Sequence, residues 1–180
     1  MTRPGYRRSG RAAAWVAAVC AAAAAAAVAT WAAGASAQQY LIGADLGVSS
    51  GIEGGGAVGG LARARTRLRL GGDLRIDESP DDILEFAALA EVEPRSGFGA
   101  DVRYARAASD RFFVDAGLLG ILAPASLYGA CAGLTYRLPI SKHTQITLGP
   151  EVDLYFLGTD LPDGTVIWEM RIQGGVRVDL

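Results

Sequence analysis

The chemistry open to this chain is that of arginine and carboxylate at alternating positions. Arg63, Arg65, Arg67, Arg69 and Arg75 recur at odd positions in one stretch, with Asp73 among them. Arg103, Arg111, Arg137, Arg171 and Arg177 also stand at odd positions. So do Asp45, Glu85, Glu91, Glu93, Asp101, Asp115, Glu151, Asp153, Glu169 and Asp179. The two sets nearly balance. Gathered in a narrow interior they would compensate one another, because an unpaired charge taken out of water is costly. Left lining a passage, the arginines of Leu61–Ile76 would instead favour anions. Near-neutrality favours a packed salt-bridge network, and the arginine excess on one segment keeps the anion path open.

Catalysis has little to work with. His143 is the only histidine and falls in a turn beside Ser141 and Lys142, with no carboxylate flanking it on an apolar face. One histidine and Cys131 do not make an ordinary zinc site. Gly54-Gly55-Gly56 and Gly59-Gly60 lack the strand-to-helix setting of a phosphate loop and read as a flexible loop over about 50–60. No enzyme activity, cofactor or metal is expected.

A period of two is the signature of β-strands. The 180-residue chain first shows a leader. Arg3, Arg7, Arg8 and Arg11 precede an Ala-rich apolar run over Ala12–Ala33, and Ala35-Ser36-Ala37 is a small-x-small cleavage site. Residues 1–37 are read as a signal peptide and 38–180 as the domain. The leader holds four of the 17 basic residues and none of the 19 acidic ones, which leaves the mature chain at −6. That charge argues against a nucleic-acid partner. Cys131 is the only mature cysteine, so no intrachain disulfide is available.

From Gln39 onward eight segments alternate. Their apolar positions include Leu46 and Val48, Leu68 and Leu70, Leu84 and Phe86, Phe98 and Val102, Phe112 and Leu118, Tyr128 and Leu134, Leu148 and Leu154, and Met170 and Ile172. Polar turns such as Asp77–Asp82, Ser109–Asp110 and Ser141–His143 separate them. Eight antiparallel strands with short connections suggest an up-and-down barrel, which leaves no exposed edge.

Alternation does not say which face is outside. A soluble barrel hides its apolar face, and a membrane barrel shows it to lipid. Three features favour the membrane. Tyr40, Phe98, Tyr104, Phe112, Tyr128, Tyr136, Phe156 and Trp168 sit near strand ends, as interfacial girdles do. The polar face carries many glycines, including Gly43, Gly47, Gly97, Gly99, Gly129 and Gly133, which make room for long side chains in a narrow lumen. The segments also run about 11 to 16 residues, enough to cross a bilayer tilted.

A signal peptide, eight alternating strands and a chain ending on the last strand resemble the small outer-membrane barrels of the OmpA/OmpX type. The resemblance covers about residues 38–180 and is one of pattern. The terminal Val176-x-Val178-x-Leu180 is similar to that family's C-terminal signal for barrel insertion, ending on Leu where the family has Phe. It implies an eight-stranded transmembrane β-barrel in the outer membrane of a Gram-negative cell, exported through the cleaved leader. Its partners would be outer-membrane lipids and the barrel-insertion machinery acting on the last strand. It also implies strand ends facing the periplasm at both termini. No residues remain for the peptidoglycan-binding domain that full-length OmpA proteins carry.

The expected function is a non-enzymatic barrel with a charge-networked, plugged lumen and a role in envelope integrity. Alternatives are a narrow channel for small solutes and a soluble periplasmic barrel holding an apolar ligand. Two finer expectations follow. Leu68, Leu134 and Leu154 should face acyl chains. Across the Asp77–Asp82 turn, opposite charges should pair as Arg75 with Glu85, Arg69 with Glu91 and Arg67 with Glu93, avoiding Asp73 opposite Glu85. By the same logic Arg103 should face Asp115.

Overall fold

The computed structural model describes residues 40–180 except 57, 65, 77, 78, 94, 95, 160, 162 and 163. The leader, and the side chains of Arg63 and Glu93 together with Arg65, lie outside the described residues. The strands are β1 (Tyr40–Gly55), β2 (Val58–Arg63), β3 (Thr66–Ile76), β4 (Ser79–Glu93) and β5 (Gly97–Ala107). They continue with β6 (Phe112–Ala123), β7 (Leu127–Pro139), β8 (Thr144–Gly158) and β9 (Ile167–Asp179). All pairings are antiparallel, each strand from β3 to β9 pairs with the next, and β1 pairs with β9 to close the ring. β2 and β3 lie end to end along β1, so the wall has eight strand positions. The expected closed, eight-stranded, antiparallel barrel is what forms.

The period-two pattern translates directly into burial. Along β5 exposed and buried residues alternate, with Asp101, Arg103 and Ala105 in and Val102, Tyr104 and Arg106 out. β8 does the same, with Glu151, Asp153 and Tyr155 in and Val152, Leu154 and Phe156 out. One end of the barrel carries both strand termini and the tight turns after β3, β5 and β7. The other carries the connections after β1, β4, β6 and β8, and is called the loop end here.

The glycine-rich stretch is not the expected loop. β1 runs through it to Gly55, and the hairpin turns on Gly55 and Gly56 at φ 91° and 63°. Backbone this left-handed suits glycine. Gly54 lies in the strand under the Trp168 ring, which fills the space a side chain would take.

Register departs from expectation in two places. Between β3 and β4 the pairs are Arg67↔Glu91, Asp73↔Glu85 and Arg75↔Ile83, so the like charges that were expected to be avoided stand directly opposite. Between β5 and β6, Asp115 pairs with Ala105 and Arg103 with Gly117, so Arg103 meets Asp115 on the diagonal. The reason is that cross-strand neighbours are not the only partners in a closed lumen. Asp73 receives both Nε and Nη2 of Arg177, each at 2.7 Å, from β9. Glu85 accepts from Arg69 at 3.0 Å and from Arg137 at 3.1 Å. A cross-strand pair contributes only about 0.2–1 kcal/mol, and these charge-assisted bonds, from Arg177 on β9, Arg137 on β7 and Arg69 further along β3, outweigh it.

Irregularities cluster toward the loop end. Val92, Leu122 and Phe156 are each skipped by the ladder, opposite Thr66/Arg67, Phe98/Gly99 and Tyr128/Gly129. Bulges of this kind sit at barrel rims, where they bend the strand. A further slip lies between β2 and β3. Ser49 pairs with Arg67, but Ile52 pairs with Arg63 and Glu53 with Ala62, one residue out of phase. Below the slip Leu68 is exposed and Arg67 buried; above it Leu61 is exposed and Ala64 buried. The unbroken alternation read over Leu61–Ile76 therefore reverses parity at its middle.

Candidate functional site

The described charges of the lumen form three groups, the first two linked. Toward the loop end, Arg67 from β3 is the hub. It reaches Asp153 at 2.7 Å, Glu91 and Glu151 at 3.3 Å and Glu169 at 3.4 Å, and it donates to the Tyr155 hydroxyl. Arg171 stands beside it, on Glu169 and on Asp153 at 3.3 Å. The second group lies at mid-height. Arg103 binds Asp101 and Glu151 at 2.7 Å and Asp115 at 3.3 Å. Arg69 binds Asp45 at 2.6 Å, Glu85 at 3.0 Å and Asp101 at 3.3 Å. Glu151 bridges the first two groups. Near the termini, Arg177 and Arg75 hold Asp73 and Asp179.

Exposure is greatest toward the termini. The Asp179 side chain is 30% exposed and Arg69 13%, whereas Arg67 is 1% and Asp153 0% exposed. Alongside the Arg67 group, and reaching past it toward the loop end, is an apolar layer of Leu89, Leu119, Ile121, Leu127, Cys131 and Tyr155, with Leu161 and Ile167 packed on it; Cys131 pairs with Asp153, and Leu89 precedes Glu91 on β4. A void of about 40 Å³ lies on the termini side, between Asp45, Glu85, Arg69, Arg103, Arg137 and Arg177. That is room for on the order of one to three waters. Side chains fill what the narrow ring leaves, as an eight-strand barrel of this diameter requires.

Among the described side chains, then, Arg67, Arg69, Arg75, Arg103, Arg171, Asp45, Glu85, Glu91, Asp115, Glu151 and Asp153 all meet in the lumen, as do Asp73, Asp101, Arg137, Glu169, Arg177 and Asp179. Arg111 does not: it is exposed and bonds the Tyr136 hydroxyl, because it sits in the turn before β6 begins and the strand parity does not bind it. Carboxylates outnumber arginines here, so the arginine stripe gives the lumen no cationic excess. Sequence reading did not pick out the apolar layer or the Tyr155 hydroxyl. The signal was present, since Leu89, Leu119 and Tyr155 occupy lumen-facing positions. His143 is exposed in its turn, its amide donating to Ser141 Oγ at 3.3 Å.

The outer wall is the inverse of the lumen. Leu46 is 60% exposed and Leu118 68%, and Leu68, Leu134 and Leu154 are exposed as expected. Phe98, Tyr128 and Phe156 stand out toward the loop end, and Tyr104 and Phe112 toward the termini. A continuous apolar band between two aromatic tiers, wrapped around buried charge, is the surface of a barrel that lives in lipid. A barrel in water would show the reverse. The chain is a transmembrane β-barrel.

The sequence matches no protein-family profile and no curated protein. Solved structures with similar folds include the crystal structure of Neisserial surface protein A (NspA), at TM-score 0.46 and 13% identity, covering 78% of this chain and 97% of that one. A de novo designed transmembrane β-barrel aligns at TM-score 0.44 and 11% identity, over 77% of this chain and 95% of the design.

Gly43 shows how little slack the network has. A Cβ there would meet the Asp73 carboxylate and the Arg177 guanidinium. Gly43→Ala is expected to lower stability by about 1–3 kcal/mol, the usual range for overpacking. Guanidinium unfolding in lipid vesicles reads this directly, and an unchanged midpoint would mean the Asp73–Arg177 pair is not held there.

Proposed function

We propose that this chain is a small outer-membrane barrel of a Gram-negative envelope with a plugged lumen, a structural rather than catalytic component. The observation that carries the reading is the inversion of polarity: apolar outside, ion-paired inside. Such a surface needs a bilayer, and an eight-stranded barrel with an N-terminal export leader fits the outer membrane. The plug is supported by the Arg67 group and the apolar layer, whose buried side chains share the loop-end half of the lumen. A structural role is supported by the short loop-end connection Pro124–Ser126 between β6 and β7, which leaves little chain for gripping a partner outside the cell. On this reading the termini and the short turns face the periplasm, and the last strand is what the insertion machinery engages.

Single cysteines at Ser96 and Asp110, both exposed and at opposite ends, test localisation and topology together. An impermeant maleimide on intact cells should label position 96 and not 110. Native Cys131 is buried in the lumen and should stay silent. Labelling of 110 alone would invert the topology, and recovery of the protein in a soluble periplasmic fraction would overturn the membrane reading. In planar bilayers the purified barrel should show no steady conductance.

A further inference from the structure

The exposed cations of the described side chains, Arg106, Arg111 and Lys142, all lie at the termini end. Arg111 is the most constrained of them. Its carbonyl accepts from the Arg137 amide at 2.8 Å, which fixes its backbone against β7. Its Nη1 donates to the Tyr136 hydroxyl at 3.3 Å, so the guanidinium is folded onto the outer wall instead of extending into water. Tyr136 is itself braced by Phe112, ring centroids 5.0 Å apart and tilted by 54°. A hydroxyl that accepts from arginine keeps its own proton to donate, and the guanidinium keeps further N–H groups. Two donors of an aromatic-braced pair therefore converge at the edge of the apolar band nearest the termini. Val114, Leu134 and Leu138 are exposed next to them. Lys142 is exposed on the neighbouring turn. Asp110 is the one acid in the Arg111 turn, and Asp82 is already engaged by the Tyr104 hydroxyl and, at 3.8 Å, by Arg106.

We propose that this rim seats a phospholipid of the leaflet at the termini end. Arg111 and the Tyr136 hydroxyl bind the phosphate oxygens, Lys142 supplies a second positive charge, and the acyl chains lie along Val114, Leu134 and Leu138. Guanidinium and phosphate match in geometry and charge, interfacial tyrosines hold the headgroup level, and a basic rim selects anionic headgroups. The site rests on the membrane reading above.

The barrel, inserted in vesicles of phosphatidylcholine mixed with phosphatidylglycerol, is released into mild detergent and its retained lipids are counted by native mass spectrometry. Wild type should retain phosphatidylglycerol over phosphatidylcholine. Arg111→Ala should reduce that preference by about fivefold, the effect of one basic residue near an anionic surface. Tyr136→Phe keeps the ring packing and removes only the hydroxyl, and should reduce retention as well. Heat-modifiable gel mobility shows that each variant is folded. Folded variants with unchanged phosphatidylglycerol retention would overturn the site alone. Failure of wild type to insert in either lipid would overturn the membrane reading and the site with it.

Discussion

Arg67→Met should destabilise the folded barrel by about 3–5 kcal/mol, the range for removing one partner from a buried ion group. The side chain removed is 1% exposed and is the shared partner of Glu91, Glu151, Asp153 and Glu169. Asp153 and Glu169 are directly paired across β8 and β9, so without Arg67 only Arg171 stands between two like charges. Methionine fills most of the space, so the loss is one of charge compensation more than of packing. Adding Asp153→Asn should recover part of it, and a double-mutant cycle between 67 and 153 should show coupling. For comparison, Arg106→Ala removes an exposed partner 3.8 Å from Asp82 and should change stability by about 0–1 kcal/mol. Equal effects at 67 and 106, or strict additivity with 153, would sink the idea that Arg67 holds the lumen charges together.

The second large effect is on the other face. Leu68 follows Arg67 in sequence yet points out of the barrel, opposite Val48 on β1 and Ala90 on β4. Leu68→Arg should cost about 2–4 kcal/mol in a bilayer, the depth-dependent penalty for a lipid-facing arginine near the midplane. In a water-soluble barrel the same change at an exposed leucine would be close to neutral. Reversible guanidinium unfolding in phosphatidylcholine vesicles separates the two. A shift below about 0.5 kcal/mol would place Leu68 outside the hydrocarbon.

Strands and faces were legible because one period governs both. Every outward leucine singled out from the sequence is exposed, and the lumen charges meet because odd positions face inward through most of the barrel. Register was not legible. Pairing rules see directly opposed residues of two adjacent strands, whereas Asp73 and Glu85 are tolerated face to face because Arg177 and Arg137 reach them from elsewhere in the ring and Arg69 reaches Glu85 along the diagonal. The parity slip above Arg67 was hidden for a similar reason. Ala62 and Ala64 suit either face, so the sequence carries no mark of where the phase turns over. Arg111 looked like a lumen residue only because its number is odd. The apolar layer was hard to see because Leu119 and Ile121 break an alternation that elsewhere puts charge at those positions.

The seam between β1 and β9 joins Gly43 to Asp179 and carries on to Gly55 and Ile167. Many of the lumen bonds span the chain in the same way: Arg67 and Asp153 are 86 positions apart, and Arg75 and Asp179 are 104 apart. None of these can form while the ring is open. A half-built sheet would present bare arginines and carboxylates to hydrocarbon, which no local contact could compensate. The nascent hairpins must therefore wait at the water boundary with their charged side wet, and cross the bilayer together as the two end strands meet. Assembly becomes a single cooperative event with high contact order, and its rate should be limited by closure and not by the making of any one hairpin.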